Sequence, residues 1–280
     1  MKFAFSSLFV FLSLSVPLTS SACPKVGRFA DFNCDGAATV VVIGDSLVRG
    51  FGDTTNANQG GYVLRAQKRL KEATIHNFGV LGLKTREMLS NLDNAFKGTG
   101  DASLAEALVK ADLVVLDVGR NDRWLFGSPS AALRNLKRAG SLIRNKVAAL
   151  TGGTSPLVVT AVMIYPNRGA QGPWMKELDA LILKSHSAEA PADLRFDLVS
   201  KRLLSADQIH PTSKGYQALA DVFVKYILRQ YAQHAAALRV DNDKDGLYDI
   251  FEATRFGTDP TNPDTDNDGI LDGAEEYHDG

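Results

Sequence analysis

Cysteine is scarce in this chain: two among 280 residues, Cys23 and Cys34. Two thiols close one disulfide at most, so stability has to come from an apolar core rather than from a dense set of cross-links. Histidine is nearly as sparse, at five, which leaves few candidates for acid–base chemistry. After residue 18 there is no apolar run of membrane-spanning length, so no transmembrane segment is expected. Bases almost vanish at the C-terminus. Residues 241–280 hold 13 of the 32 acids but only Lys244 and Arg255 among the bases, leaving 29 bases against 19 acids in residues 1–240. The formal net charge of −1 thus averages a basic body and an acidic tail and argues for no partner; a nucleic-acid partner is not expected.

What is present is a 45% hydrophobic composition, enough for one sizeable α/β domain with a small appendage and unlike a disordered or fibrous chain. At the N-terminus, Lys2 precedes an apolar run over 3–18 and then Ser20-Ser21-Ala22, a small-x-small cleavage pattern. Residues 1–22 therefore read as a secretory signal peptide, and the mature protein as periplasmic, secreted or cell-surface. Cleavage there leaves Cys23 first. A lipid-attachment signal calls for a Leu-like residue three positions earlier, where this chain has Ser20, so the expectation is instead a Cys23–Cys34 disulfide. Such a loop contributes roughly 2–3 kcal/mol and ties the N-terminal arm beside the first strand.

That strand is Val40-Val41-Val42-Ile43, a β-branched run of the kind buried in parallel sheets, and it stops at Gly44-Asp45-Ser46-Leu47. A serine there stands at the carboxyl end of a strand, where open α/β sheets bind ligands. Further strands are expected over 74–78, 113–118, 157–164 and 194–198. Helical periodicity is found over 62–72, 86–95, 103–110, 130–150, 174–187 and 213–238. This alternation predicts a doubly wound parallel sheet of five strands with helices on both faces.

The chemistry-bearing residues follow strand ends. Gly79-Val80-Leu81-Gly82 follows the second strand and Gly119-Arg120-Asn121-Asp122 the third. Asp207-Gln208-Ile209-His210 precedes the last helix. Three-residue spacing lets the Asp207 carboxylate hold the His210 ring, and His210 can then take the Ser46 proton. Taken alone, Asp-x-x-His also reads as a helix-entry turn with Asp as its cap. His76, His186, His234 and His278 are expected to be structural or solvated.

These four blocks, in this order, resemble the SGNH (GDSL) hydrolase family over roughly residues 39–231. The resemblance implies a flavodoxin-like fold and an esterase or acylhydrolase without a catalytic cofactor, acting through an acyl-enzyme. Ser46 is implied as the nucleophile, His210 as general base and then acid, and Asp207 as its orienting partner. The oxyanion hole is implied to comprise the Ser46 and Gly82 backbone N–H groups and the Asn121 amide. Arg120 departs from the small or polar residue expected in its block, so it either bears on substrate charge or points to solvent. Trp124, Phe126, Tyr165 and Trp174, on strand-end loops, are expected either to line the substrate crevice or, equally, to cap the core at the sheet edge. A small-molecule or glycan ester is the expected substrate. Acetylated polysaccharide is a narrower alternative, and a calcium-dependent surface-binding protein on a non-catalytic scaffold is an alternative of another class.

The acidic tail repeats a pattern. Asp241, Asp243, Asp245, Leu247, Asp249 and Glu252 occupy positions 1, 3, 5, 7, 9 and 12 of a calcium loop, and Asp264, Asp266, Asp268, Ile270, Asp272 and Glu275 do so again, with glycine at position 6 in both. Prolines between the loops preclude an ordinary exiting helix. The tail resembles thrombospondin type 3 repeats, which implies structural Ca²⁺ and a stiffened spacer or docking element. The expected organisation is a signal peptide at 1–22, a hydrolase domain at 23–238 and calcium-binding repeats at 239–280.

Overall fold

A computed structural model of the chain describes residues 26–29, 31–56, 60–125, 127–162, 171–185, 191–196, 198, 201–237, 242–245, 249, 258–267, 269 and 271–272. The expected signal segment and Cys23 lie outside these residues. No described cysteine is free.

Five parallel strands form one sheet: β1 (Thr39–Gly44), β2 (Thr74–Gly79), β3 (Leu113–Asp117), β4 (Leu157–Val162) and β5 (Ala192–Asp193), in spatial order β2-β1-β3-β4-β5. That is the flavodoxin-like order, and it reverses direction between β1 and β3. The fifth strand is shorter and earlier than the expected 194–198. Only Ala192 and Asp193 are register partners of β4; the Leu194 N–H still donates to the Val162 carbonyl at 2.9 Å, and both Leu194 and Leu198 are buried. The apolar character of Leu198 reports core burial rather than pairing.

Helices are α1 (Ser46–Arg49), α2 (Gly61–Arg69), α3 (Thr85–Phe96), α4 (Ala102–Val109), α5 (Pro129–Thr151), α6 (Gln171–Ser185) and α7 (Ser213–Ala237). The period-2 alternation of β1 divides the core between the two faces. Val40 and Val42 pack with Tyr62, Val63, Tyr216 and Phe223 of α2 and α7. Val41 and Ile43 pack on the opposite side with Met88, Leu92, Leu136 and Ile143 of α3 and α5. With both faces covered, every residue of β1 is buried, which is why it reads as an unbroken apolar run. No described helix is long and apolar enough to cross a membrane.

The strand-to-helix turn after β1 is unusually tight, and Gly44 makes it so. A Cβ at Gly44 would lie 2.0 Å from Val48 Cγ2 and 2.9 Å from the Asp117 carbonyl oxygen. Only a residue without one lets α1 fold back against β1 and β3. Ser46 is thereby held at the mouth of the β1–β3 switch point, where the two crossovers diverge.

Candidate active site

Ser46 is the first residue of α1, and Asp45 caps that helix, its Oδ1 accepting the Leu47 N–H at 3.0 Å. Opposite lies a loop closed by the Leu204–Pro211 bridge and by the Ser205 N–H donating to the His210 carbonyl at 2.8 Å. Gln208 turns it with a left-handed backbone, φ 56°. The Asp207 Oδ1 accepts the Ile209 and His210 N–H groups at 2.8 and 2.9 Å and the Ser205 hydroxyl at 2.6 Å. Asp207 therefore caps its own loop and not α7, whose start is served by Thr212, bonded to Gly215 and Tyr216.

The loop brings Asp207, His210 and Ser46 into contact. Asp207 Oδ2 lies 2.7 Å from His210 Nδ1, and His210 Nε2 lies 2.9 Å from Ser46 Oγ. Burial pushes the Asp207 carboxyl up, but the hydrogen bonds from Ser205, from the His210 ring and from the backbone prevail and hold it well below the usual carboxylate range. The ring is seated by Phe51, centroid to centroid 4.7 Å. Phe51 is itself fixed by its carbonyl, which accepts the Tyr216 hydroxyl at 2.7 Å.

Gly82 and Asn121 flank Ser46 in the same cleft. Gly82 has φ 71° with open space where a side chain would stand, so its glycine answers a left-handed turn at the cleft wall rather than crowding. The Asn121 amide nitrogen donates to the Leu83 carbonyl at 3.2 Å and reaches Asp45 Oδ2 at 3.4 Å. Asp122 ties this block to the second: its carboxylate accepts the Thr85 N–H at 3.0 Å and the Thr85 hydroxyl, at the start of α3.

Arg120 is turned away from bulk solvent, its side chain 10% exposed, and borders the cleft beside Asp45 and Asn121. Its Nε and Nη2 grip Asp45 at 2.8 and 2.9 Å, and its Nη1 donates to Asp117 Oδ1 at 2.6 Å. Tyr62 donates to Asp117 Oδ2 at 2.7 Å. Burial raises the Asp45 carboxyl against the pull of Arg120. Burial disfavours the Arg120 charge too, yet Asp117 and Asp45 outweigh it and hold the guanidinium protonated.

The cleft has a volume of about 290 Å³, and its apolar walls are Phe51, Leu81, Met175 and Ile209, with Arg123 beside them. None of these was singled out from the sequence. Isolated apolar residues on loops carry no periodic signal, and Met175 reads only as helix core. Of the four aromatics expected here, Trp174 donates its indole N–H to the Gly127 carbonyl at 2.7 Å and packs against the core, outside the cleft lining. Phe126, Tyr165 and the Trp124 side chain lie outside the described residues.

In the tail, the described members of the two loops share one form. Lys244 and Asn267, each at position 4, are left-handed at φ 63° and 59°. The position-2 N–H donates to the position-9 carboxylate in both, Asn242 to Asp249 at 2.8 Å and Thr265 to Asp272 at 2.9 Å. The position-2 side chain joins each bond. Asp249 and Asp272 thus brace the loops, as Asp264 does by accepting the Gly269 N–H at 2.9 Å. Asp241, Leu247, Glu252, Asp268, Ile270 and Glu275 lie outside the described residues, and among those described no three acidic, His or Cys side chains converge as a metal site. The same loop spelling precedes β1: Asp31-Phe32-Asn33-Cys34-Asp35-Gly36, with Cys34 left-handed at φ 58°. There Asp31 accepts the Asp35 and Gly36 N–H groups.

Residues 42–218 match the family model described as GDSL-like Lipase/Acylhydrolase, and the chain belongs to that family of ester hydrolases. No curated protein matches the chain by sequence. Solved structures share the fold. A lipolytic G-D-S-L family member from Veillonella parvula is 20% identical, with TM-score 0.53, over 68% of this chain and 97% of its own. The lipase Lip_vut3 from a goat rumen metagenome is 21% identical, with TM-score 0.51 over the same shares. A lipase/acylhydrolase from Enterococcus faecalis is 22% identical, with TM-score 0.50, over 69% and 96%.

Proposed function

We propose that this protein is an exported serine ester hydrolase that works through a Ser46–His210–Asp207 triad and an acyl-enzyme. The observation that carries the reading is the unbroken contact from Asp207 through His210 to Ser46 Oγ, at 2.7 and 2.9 Å. His210 Nε2 takes the hydroxyl proton as Oγ bonds to the ester carbonyl carbon. The carbonyl oxygen becomes an oxyanion facing the Ser46 and Gly82 N–H groups and the Asn121 amide. Collapse breaks the ester C–O bond, and His210 returns the proton to the departing alcohol. Water then repeats the sequence on the acyl-enzyme and frees the acid. Asp207 stays ionised and stabilises the imidazolium.

The apolar cleft walls favour an ester with an acyl chain over one bearing acetyl alone. The domain would span residues 23–238 after removal of 1–22, with Cys23 and Cys34 paired. Residues 239–280 would bind Ca²⁺ as a structural spacer or docking element; the oxygen donor set and the matched loop form support that reading. A panel of chromogenic esters from acetyl to octanoyl, together with acetylated glycans, run on wild type and Ser46→Ala, tests the function. Full activity in Ser46→Ala would refute the nucleophile. Acetate release from glycans alone would move the substrate to polysaccharide.

A further inference from the structure

We propose that Arg120 is a positioning residue for ester hydrolysis, locking the cap of the Ser46 helix to the loop that carries Asn121 and balancing buried carboxylate charge behind the oxyanion. The inference rests on the serine-hydrolase reading above.

The geometry is a clamp. Asp45 fixes the first turn of α1 through the Leu47 N–H, and so fixes where the Ser46 N–H points. Arg120 holds that same carboxylate with two donors and the Asp117 side chain with a third. A further bond, from Nη2 to the Asp117 carbonyl at 2.9 Å, anchors the guanidinium to the end of β3. Asn121 follows Arg120 directly in the chain. One planar group therefore sets the relative position of two oxyanion donors that come from different strands. A lysine carries the same charge as a single point and cannot reproduce a two-pronged grip on Asp45 while reaching Asp117.

The charge argument is separate. Asp45 and Asp117 are each 1% exposed, and the Arg120 side chain 10%. Two buried carboxylates surround one guanidinium, immediately behind a carbonyl oxygen that gains negative charge in the transition state. Remove the cation, and the field there opposes the reaction in a medium that screens poorly. The guanidinium borders the cleft, but its Nε, Nη1 and Nη2 donate to Asp45 and Asp117, so it acts on the site through those two carboxylates.

The test uses the full mature chain and p-nitrophenyl butyrate, with competent sites counted by fluorophosphonate titration and thermal unfolding followed in parallel. For Arg120→Lys, kcat is expected to fall about tenfold, and for Arg120→Met about a hundredfold, with KM within about twofold of wild type. A purely structural role would lower the melting temperature and the number of competent sites but leave kcat per site unchanged, and that result would overturn the proposal. A change carried by KM alone would do the same. If Arg120→Met does not fold, Arg120→Lys decides. Ser46→Ala is run alongside: turnover in that variant would remove the parent reading, whereas an inactive Ser46→Ala beside Arg120→Lys at wild-type kcat removes only the role of Arg120.

Discussion

Arg65 Nη2 stands 2.8 Å from Asp53, whose side chain has no solvent exposure, and the same Asp53 oxygen accepts the Ser213 hydroxyl at 3.0 Å. Asp53 lies two residues beyond Phe51, the ring seated on His210, and Ser213 begins α7 three residues after His210. The pair therefore fastens the segment that carries Phe51 and, through Ser213, the start of α7 to α2. Truncating Arg65 leaves the buried Asp53 charge without its cation, held by the Thr55 and Ser213 donors. Arg65→Ala is expected to lose about 3–5 kcal/mol of stability, read as a fall in the denaturant midpoint at unchanged slope. An unaltered midpoint would show that the pair contributes nothing.

Asp207 governs an acid limit of stability. Its carboxyl is held below the ordinary value by the Ser205 hydroxyl, the His210 ring and the loop amides, against the opposing effect of burial. A carboxyl depressed in the folded state stabilises above its unfolded value of 3.8, and that stability fades as pH falls through the folded value. Melting temperature followed from pH 6 downward should drop less in Asp207→Asn than in wild type below about pH 4. In rate assays Asp207→Asn should lower kcat by about 10³–10⁴-fold, because the ring loses its tautomer-fixing partner. A loss under tenfold would count against the relay.

Asp112 acts with the opposite sign. It is fully buried and accepts the Phe32 and Thr39 N–H groups, both at 2.7 Å. Burial pushes its carboxyl from 3.8 to about 7. A carboxyl raised in the folded state favours the native form while protonated, so its contribution falls as pH climbs from about 4 to about 7. The melting temperature of wild type minus that of Asp112→Asn should decline across that window. A difference that is flat with pH would mean that Asp112 is ionised throughout.

The two glycine blocks fail differently. Gly44→Ala places a methyl against Val48 and the Asp117 carbonyl, so folding suffers first and the melting temperature drops sharply. Gly82→Ala meets no atom within 4 Å but must hold φ near 71°, at a cost of about 1–2 kcal/mol. Its expected signature is a loss in kcat greater than the loss in stability. Equal behaviour of the two variants would show that Gly82 is only a turn residue.

Calcium and catalysis should separate. Chelation is expected to increase proteolysis within residues 239–280 while p-nitrophenyl ester turnover stays within about twofold, since the paired tail loops contain no triad member. Turnover that collapses on chelation and returns with Ca²⁺ would contradict this division.

Much of the site was legible along the chain because its parts are local spellings. A β-branched run ending in Gly-Asp-Ser, glycine turns after strands and Asp-x-x-His each reflect a constraint within a few residues. Arg120 shows the limit. In sequence it was a large cation in a block that favours small residues, with substrate and solvent as its two readings. Its partners are Asp45, 75 positions away, and Asp117, the acid that ends an otherwise apolar strand. Trp174 shows the same limit in reverse, since aromatic character suits a cleft wall and a core equally until its indole N–H finds the Gly127 carbonyl.

The sequence by itself determined the parallel α/β class, the strand that presents Ser46 and the residues able to form a triad, because periodicity and turn chemistry act over short spans. Only the tertiary structure decided which distant groups meet. The reversal of strand order between β1 and β3 opens the cleft, the Leu203–Thr212 loop carries His210 across to within 2.9 Å of Ser46 Oγ, and burial turns Arg120 inward. Those outcomes depend on long-range packing and on the cost of leaving a buried charge unpaired, neither of which is written in any one stretch of chain.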